Sequence, residues 1–290
     1  MRAASWLSLS AAIWLLALNG ASGQELSFGR GKGTAQNGTF AAHVCGDSVL
    51  LPALKDALRQ VCLRLQTEPP VAIREAVVVG FVGGFVRRDD PKHPEVQFAD
   101  YLRERYGSNI KVEVFSNHEG KKALAYVLSQ LGGNRDGMPA AGEDRPVSII
   151  IYGHSWGASQ AITLARKLER RRIPVRLTIQ VDSIRKLGQN DSRIPANVES
   201  AVNFYQSGGP IHGRPLIFAV DPAHTEILGN FRMTYRDHRP DCSNYPWFVR
   251  LVNRPHHEIE NDSRVWDQMA FFIESVLSRS DGTQITSLSH

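Results

Sequence analysis

Val147-Ser148-Ile149-Ile150-Ile151-Tyr152-Gly153-His154-Ser155-Trp156-Gly157-Ala158, continuing to Leu168, is the stretch on which the fold turns. Val147 to Tyr152 is a short apolar, β-branched run of the kind that forms a buried strand. From Ala158 onward, Ala161, Ile162, Leu164, Ala165 and Leu168 recur at helical spacing. Between them lies G-x-S-x-G. A strand, this pentapeptide and a helix make up a nucleophile elbow, a sharp turn that lifts the serine hydroxyl clear of the sheet. The glycines suit a turn too tight for β-carbons, or one that needs φ above zero.

On either side of this unit, strand and helix patterns alternate. Helical spacing of apolar residues predicts a helix over Ser48–Leu65, ended by Pro69 and Pro70. Ala76–Phe81 predicts a buried strand leading into Gly83 and Gly84, Val96–Tyr106 a helix, Lys111–Phe115 a strand and Lys121–Leu131 a helix. After the elbow, Val175–Val181 reads as a strand, Ala196–Tyr205 as a helix behind Pro195, and Pro215–Val220 and Trp247–Val252 as strands. The final helix is expected from about Asp262 to Leu277. This order implies an α/β fold: a mostly parallel central sheet with helices on both faces, and chemistry beyond the carboxyl ends of the strands.

A serine hydroxyl needs a base, usually a histidine oriented by a carboxylate. On such a sheet the order along the chain is Ser, acid, His. Asp182 closes the first strand after the elbow and is the leading acid; Asp221, at the end of the next predicted strand, is the alternative, although Pro222 after it suits a turn. His256 is the chosen base, with His257 as the alternative, because both follow the last predicted strand. His154 reads as a packing or supporting group beside the nucleophile. The developing oxyanion needs donors. One is the backbone N–H of Trp156, and the other is expected from Phe81 or Val82, at the head of the glycine turn.

Composition narrows the remaining possibilities. The chain has 290 residues and a formal charge of +5, enough for one large α/β domain over residues 41–279, after a loose lead-in at 24–40 and before a frayed tail at 280–290. Residues 1–23 read as a secretory signal, with Arg2 ahead of an apolar core and Ala21-Ser22-Gly23 as a cleavage site. Export as a periplasmic or secreted product follows, with no stable membrane insertion. The three cysteines, Cys45, Cys62 and Cys242, allow at most one internal bridge, and the short separation of Cys45 and Cys62 favours that pair without settling it. No metal or other cofactor is expected: zinc-site spacing is absent, as are G-x-G-x-x-G and the P-loop pattern. The basic run Arg166–Arg172 sits where cations suit a helix end, so no nucleic-acid partner is expected.

With these residues in hand, the chain resembles the α/β-hydrolase superfamily. The likeness rests on Gly80–Gly84, Gly153–Gly157, Val181 with Asp182, and His256-His257-Glu258-Ile259-Glu260-Asn261-Asp262. More narrowly it is similar to small bacterial lipase- or thioesterase-like serine hydrolases, which carry an Asn-Phe-Tyr-Gln helix, here Asn203 to Gln206, and a histidine shortly before an Ile/Met-Glu-x-Asp segment. The resemblance implies hydrolysis of a small-molecule carboxylic ester or thioester, with His256 as base. A binding protein that keeps the fold without turnover, and a serine peptidase, are the alternatives. Trp156 stands where many relatives carry a small residue or Met, which implies a narrowed acyl pocket.

Overall fold

In the computed structural model of the protein the described residues are 75–131, 147–237, 239–243, 245 and 247–278. The signal segment, the lead-in, the Ser48–Leu65 helix, the Cys45–Cys62 pairing and the tail all lie outside them.

Six strands form one sheet: β1 (Ala76–Val82), β2 (Ile110–Ser116), β3 (Ser148–His154), β4 (Val175–Val181), β6 (Val198–Tyr205) and β8 (Glu226–Arg232). Their order is β2-β1-β3-β4-β6-β8, and every neighbouring pair is parallel. The short strands β5 (Arg193–Ile194) and β7 (Phe218–Ala219) pair separately. The helices are α1 (Pro94–Tyr106), α2 (Gly120–Gln130), α3 (Trp156–Glu169), α4 (Trp247–Glu260) and α5 (Ser263–Leu277).

All seven residues of β1 and of β3 are buried. Runs such as Val77-Val78-Val79 and Ile149-Ile150-Ile151 are apolar throughout because both faces of an interior parallel strand are covered. Alternate residues divide between two cores. Val78, Ile150, Tyr152, Leu177 and Ile179 pack with Phe98 and Leu102 of α1 and with Trp266, Met269 and Ile273 of α5. On the other face Val77, Val79, Ile149 and Ile151 pack with Ala123 and Val127 of α2 and with Ile162, Leu164 and Leu168 of α3. Each large side chain so buried stabilises the fold by about 1.5–3 kcal/mol.

Three expectations are corrected. Ala196–Tyr205 is not a helix but contains β6, which lies between β4 and β8. Burial on both faces hides its period of two, and Val198, Val202, Phe204 and Tyr205 are strand formers. The Asn-Phe-Tyr-Gln segment therefore ends a strand. Pro215–Val220 adds only Phe218–Ala219 to the small sheet, and the outer main-sheet strand is β8, whose Gly229 and half-exposed edge weaken its apolar signal. Trp247–Val252 is helical: it opens α4, which is kinked at Asn253 (φ −124°, ψ 20°) and carries Pro255. Trp247 and Leu251, at i and i+4, are exposed, so an aromatic and aliphatic run that suggests a buried strand lies on a solvent-facing helix surface.

From β1 the chain moves outward to β2 and then crosses back to β3 on the other side. The strand order reverses there, so the carboxyl ends of β1 and β3 are where a sheet of this kind gathers its chemistry. A parallel sheet in this order, with a strand–turn–helix elbow after β3, is the α/β-hydrolase fold.

Candidate active site

Ser155 is the residue between β3 and α3. Its backbone adopts φ 56° and ψ −124°, a conformation that costs a non-glycine residue about 1–3 kcal/mol. Neighbouring hydrogen bonds hold it there: Ser155 N–H donates to the Val181 carbonyl at 2.9 Å, and Ile184 N–H donates to the Ser155 carbonyl at 3.2 Å. The flanking glycines serve close approach. A β-carbon on Gly153 would come within 2.6 Å of the Gly157 backbone, and one on Gly157 within 2.2 Å of the Phe81 carbonyl oxygen. Neither has a positive φ, so crowding is what excludes side chains at these positions.

Asp182 follows β4, also at positive φ (43°), and is fully buried. Its Oδ1 accepts from the backbone N–H groups of Gly213 (2.6 Å) and Gln206 (3.2 Å), and its Oδ2 accepts from Gln206 Nε2 (2.8 Å) and His256 Nδ1 (2.6 Å). Burial pushes this carboxyl up, but the donors from His256, Gln206 and Gly213 outweigh it and hold it below its ordinary value. His256 Nε2 lies 3.0 Å from Ser155 Oγ. With Nδ1–H committed to Asp182, Nε2 is the acceptor for the serine proton. One hydrogen-bonded chain therefore runs Ser155–His256–Asp182, through side chains at most 2% exposed.

His256 reaches this position from inside α4, beyond the kink at Asn253, and not from a loop after a strand. Asp182 directly follows a strand, as expected, whereas His256, expected just past one, lies within a helix. His257 points elsewhere: its Nδ1 lies 3.3 Å from Glu260 Oε2, and its ring stacks on Tyr245 at 4.0 Å. Asp221 caps a partly exposed turn, bonding the N–H of Ala223 (3.0 Å) and the ring of His224 (2.7 Å). Pro222 signalled that turn.

Phe81 and Val82 lie inside β1, buried, with Phe81 registered against both β2 and β3. The turn that leaves β1 beside the nucleophile is Gly83–Gly84. A β-carbon on Gly83 would sit 3.0 Å from Ser155 Cβ. Gly84 has φ 47°, and Asn117 Nδ2 donates to its carbonyl, pinning the turn to the end of β2. Next to it Phe85, 47% exposed, meets the Trp156 ring edge to face at 5.7 Å, so two aromatic rings stand beside the elbow.

Behind His256 is a second buried group that the sequence reading did not assemble. Glu95, in the first turn of α1, and Glu260, at the end of α4, are 1% and 4% exposed. Glu260 accepts from Tyr245 Oη (2.9 Å) and lies within hydrogen-bond reach of His93 Nδ1 (3.1 Å). His154 Nδ1 lies 3.4 Å from Glu95 Oε1 and 3.9 Å from Glu260 Oε2. Burial alone would push the His154 imidazole down; Glu260 and Glu95, with Asp182 further off, outweigh it and push it up to about 9. His93, Glu95 and Glu260 have ligand-type atoms within 4.8 Å of one another, and the Glu260 oxygens also lie within hydrogen-bond reach of Tyr245 and His257. Gln206 and Gly213, which hold Asp182, were likewise unassigned from sequence. Gln206, directly after the end of β6, was the available signal.

No family model and no curated protein matches the sequence. Among solved structures the chain is similar to a protein of Xanthomonas campestris pv. campestris assigned to the hydrolases of the alpha/beta superfamily, with 14% identity over 68% of this chain and 99% of that one and a TM-score of 0.34. It is also similar to a cutinase-like protein from Cryptococcus sp., with 12% identity over 73% and 100% and a TM-score of 0.39. A Trichoderma reesei cutinase in complex with a phosphonate inhibitor shows 14% identity over 83% and 91%, with a TM-score of 0.32. Among the described residues no helix is long and apolar enough to cross a membrane.

Proposed function

We propose that the chain is a serine hydrolase that cleaves a carboxylic ester or thioester through an acyl-enzyme on Ser155. The observation that carries this reading is the hydrogen-bonded chain from Ser155 Oγ through His256 to Asp182, with the serine raised on a strained elbow. His256 Nε2 takes the hydroxyl proton as Oγ bonds to the substrate carbonyl carbon. The carbonyl oxygen becomes an oxyanion. In this reading the backbone N–H of Trp156, at the start of α3, donates to it, and a second donor comes from Phe81, Val82 or the Gly83–Phe85 turn that follows them. His256 then gives its proton to the departing alkoxide or thiolate as the C–O or C–S bond breaks. In the second half, water loses a proton to His256 and attacks the acyl carbon, and the carboxylic acid leaves as Oγ regains its proton.

Asp182 keeps Nδ1 protonated throughout and stabilises the imidazolium that forms in each half. Phe85 and Trp156 present apolar surface beside the nucleophile, which favours a compact apolar acyl group. The amino-terminal segment read as a signal supports a substrate outside the cytoplasm. Ser155→Ala is expected to abolish hydrolysis of p-nitrophenyl acetate while leaving the melting temperature within a few degrees of wild type; unchanged turnover in that variant would refute the assignment.

A further inference from the structure

We propose that His154 is a positioning residue of this site: held as an imidazolium between the buried carboxylates of Glu95 and Glu260, it packs on the His256 ring and opposes proton uptake there. The inference rests on the hydrolase reading, and deepens it by identifying what keeps the base free to accept a proton.

The ring centroids of His154 and His256 are 4.7 Å apart and their planes are 32° apart. The His154 side chain is fixed from behind, because β3 ends at His154 and pairs it in register with Val181 of β4. Its Nδ1 faces Glu95 of α1 and Glu260 of α4. Two carboxylates sharing a site that water does not reach need cations, since an uncompensated buried charge is costly. His154 supplies one on the side of the triad; His93 Nδ1 lies 3.1 Å from Glu260 Oε1. His257 and Tyr245 also bond Glu260, through a ring nitrogen and a hydroxyl. From the β4 end the only carboxylate bonded to His256 among the described contacts is that of Asp182.

His256 therefore lies between opposite charges. The Asp182 carboxylate, 2.6 Å from Nδ1, draws a second proton onto the ring; the His154 cation, a ring-width away, resists it. Both interactions run through a buried region where charges act strongly at this range. A base that must be unprotonated before the serine attacks gains from that opposition, and Glu95 and Glu260 are what keep the cation in place.

The test compares wild type, His154→Gln and Glu95→Gln by two readouts: the acid limb of kcat/KM for p-nitrophenyl acetate, and the midpoint at which the His256 ring-proton resonance titrates by NMR. Removing the cation is expected to move both midpoints up by about one pH unit or more, and removing one of the anions that hold it to move them up by less, because the cation is then less firmly held. A loss of activity in His154→Gln with an unmoved acid limb would mean that the ring merely packs, and would overturn the proposal. So would a fall of the midpoint in either variant, or an equivalent of divalent metal bound to the purified wild type in place of the protons. If His154→Gln fails to fold, Glu95→Gln decides, and an unmoved or lowered midpoint overturns the idea. Absence of esterase turnover in wild type would instead count against the hydrolase reading, while the NMR midpoints would still test the role of His154.

Discussion

Asp182→Asn should separate orientation of the base from the fold that carries it. In the wild type each carboxylate oxygen accepts from two donors: Oδ1 from the backbone N–H groups of Gly213 and Gln206, Oδ2 from His256 Nδ1 and the Gln206 side chain. Asparagine has one acceptor oxygen and one NH2 group. If its oxygen turned to His256, the NH2 would face two backbone donors that cannot be reversed, each costing about 1–3 kcal/mol when buried and unmatched. If the oxygen stays with the backbone, the NH2 faces Gln206 Nε2 and His256 Nδ1, and only the first of these is a fixed donor. The second arrangement is cheaper, and in it His256 accepts at Nδ1 and carries its proton on Nε2. That tautomer cannot take the Ser155 proton. The expected loss is about 10⁴-fold in kcat, or about 5 kcal/mol of transition-state stabilisation. The assay is p-nitrophenyl acetate hydrolysis beside a thermal melt. A loss under about tenfold in a folded variant would refute the tautomer argument, as would a larger loss from Asp221→Asn.

Two further outcomes are expected. Gly213→Ala puts a methyl 2.6–2.7 Å from the Asp182 backbone, so it should destabilise by about 1–3 kcal/mol and lower kcat more than KM by displacing the acid; a neutral effect on both melting temperature and kcat would contradict the packing described. The His154 imidazole is raised on folding from 6.5 to about 9. Its contribution to stability is therefore complete below pH 6.5 and lost as pH climbs through 9, at about 1.4 kcal/mol per unit of the window. The melting temperature of wild type should fall across that window and that of His154→Gln should fall less; parallel curves would contradict the paired imidazolium.

Much of the core sheet was legible because its strands are apolar on both faces. Val77-Val78-Val79 and Ile149-Ile150-Ile151 leave no other reading, and Trp266, Met269 and Ile273 mark the last helix by their spacing. What sequence did not disclose was context. Val198–Tyr205 contains helix-compatible spacing, yet it is flanked by two strands that cover it on both edges. Trp247-Phe248-Val249 has strand composition in a helix whose exposed side carries Trp247 and Leu251. The site was legible to a different extent. Ser155 announces itself by its pentapeptide, and Asp182 by ending β4. His256 was reached through chain order although its element was misread, because what matters is that α4 returns it to the elbow. Glu95 and Glu260 stand far apart in sequence and meet only when α1 and α4 pack at the end of β3, and no local pattern records that meeting.

The most direct measurement for the central claim is intact-mass analysis after incubation with a fluorophosphonate, which modifies only a serine whose hydroxyl is activated. The account predicts one adduct per chain, mapped to Ser155, absent in Ser155→Ala and formed at least a hundredfold more slowly in His256→Ala. A chain that stays unmodified, or an adduct on another residue, would contradict it.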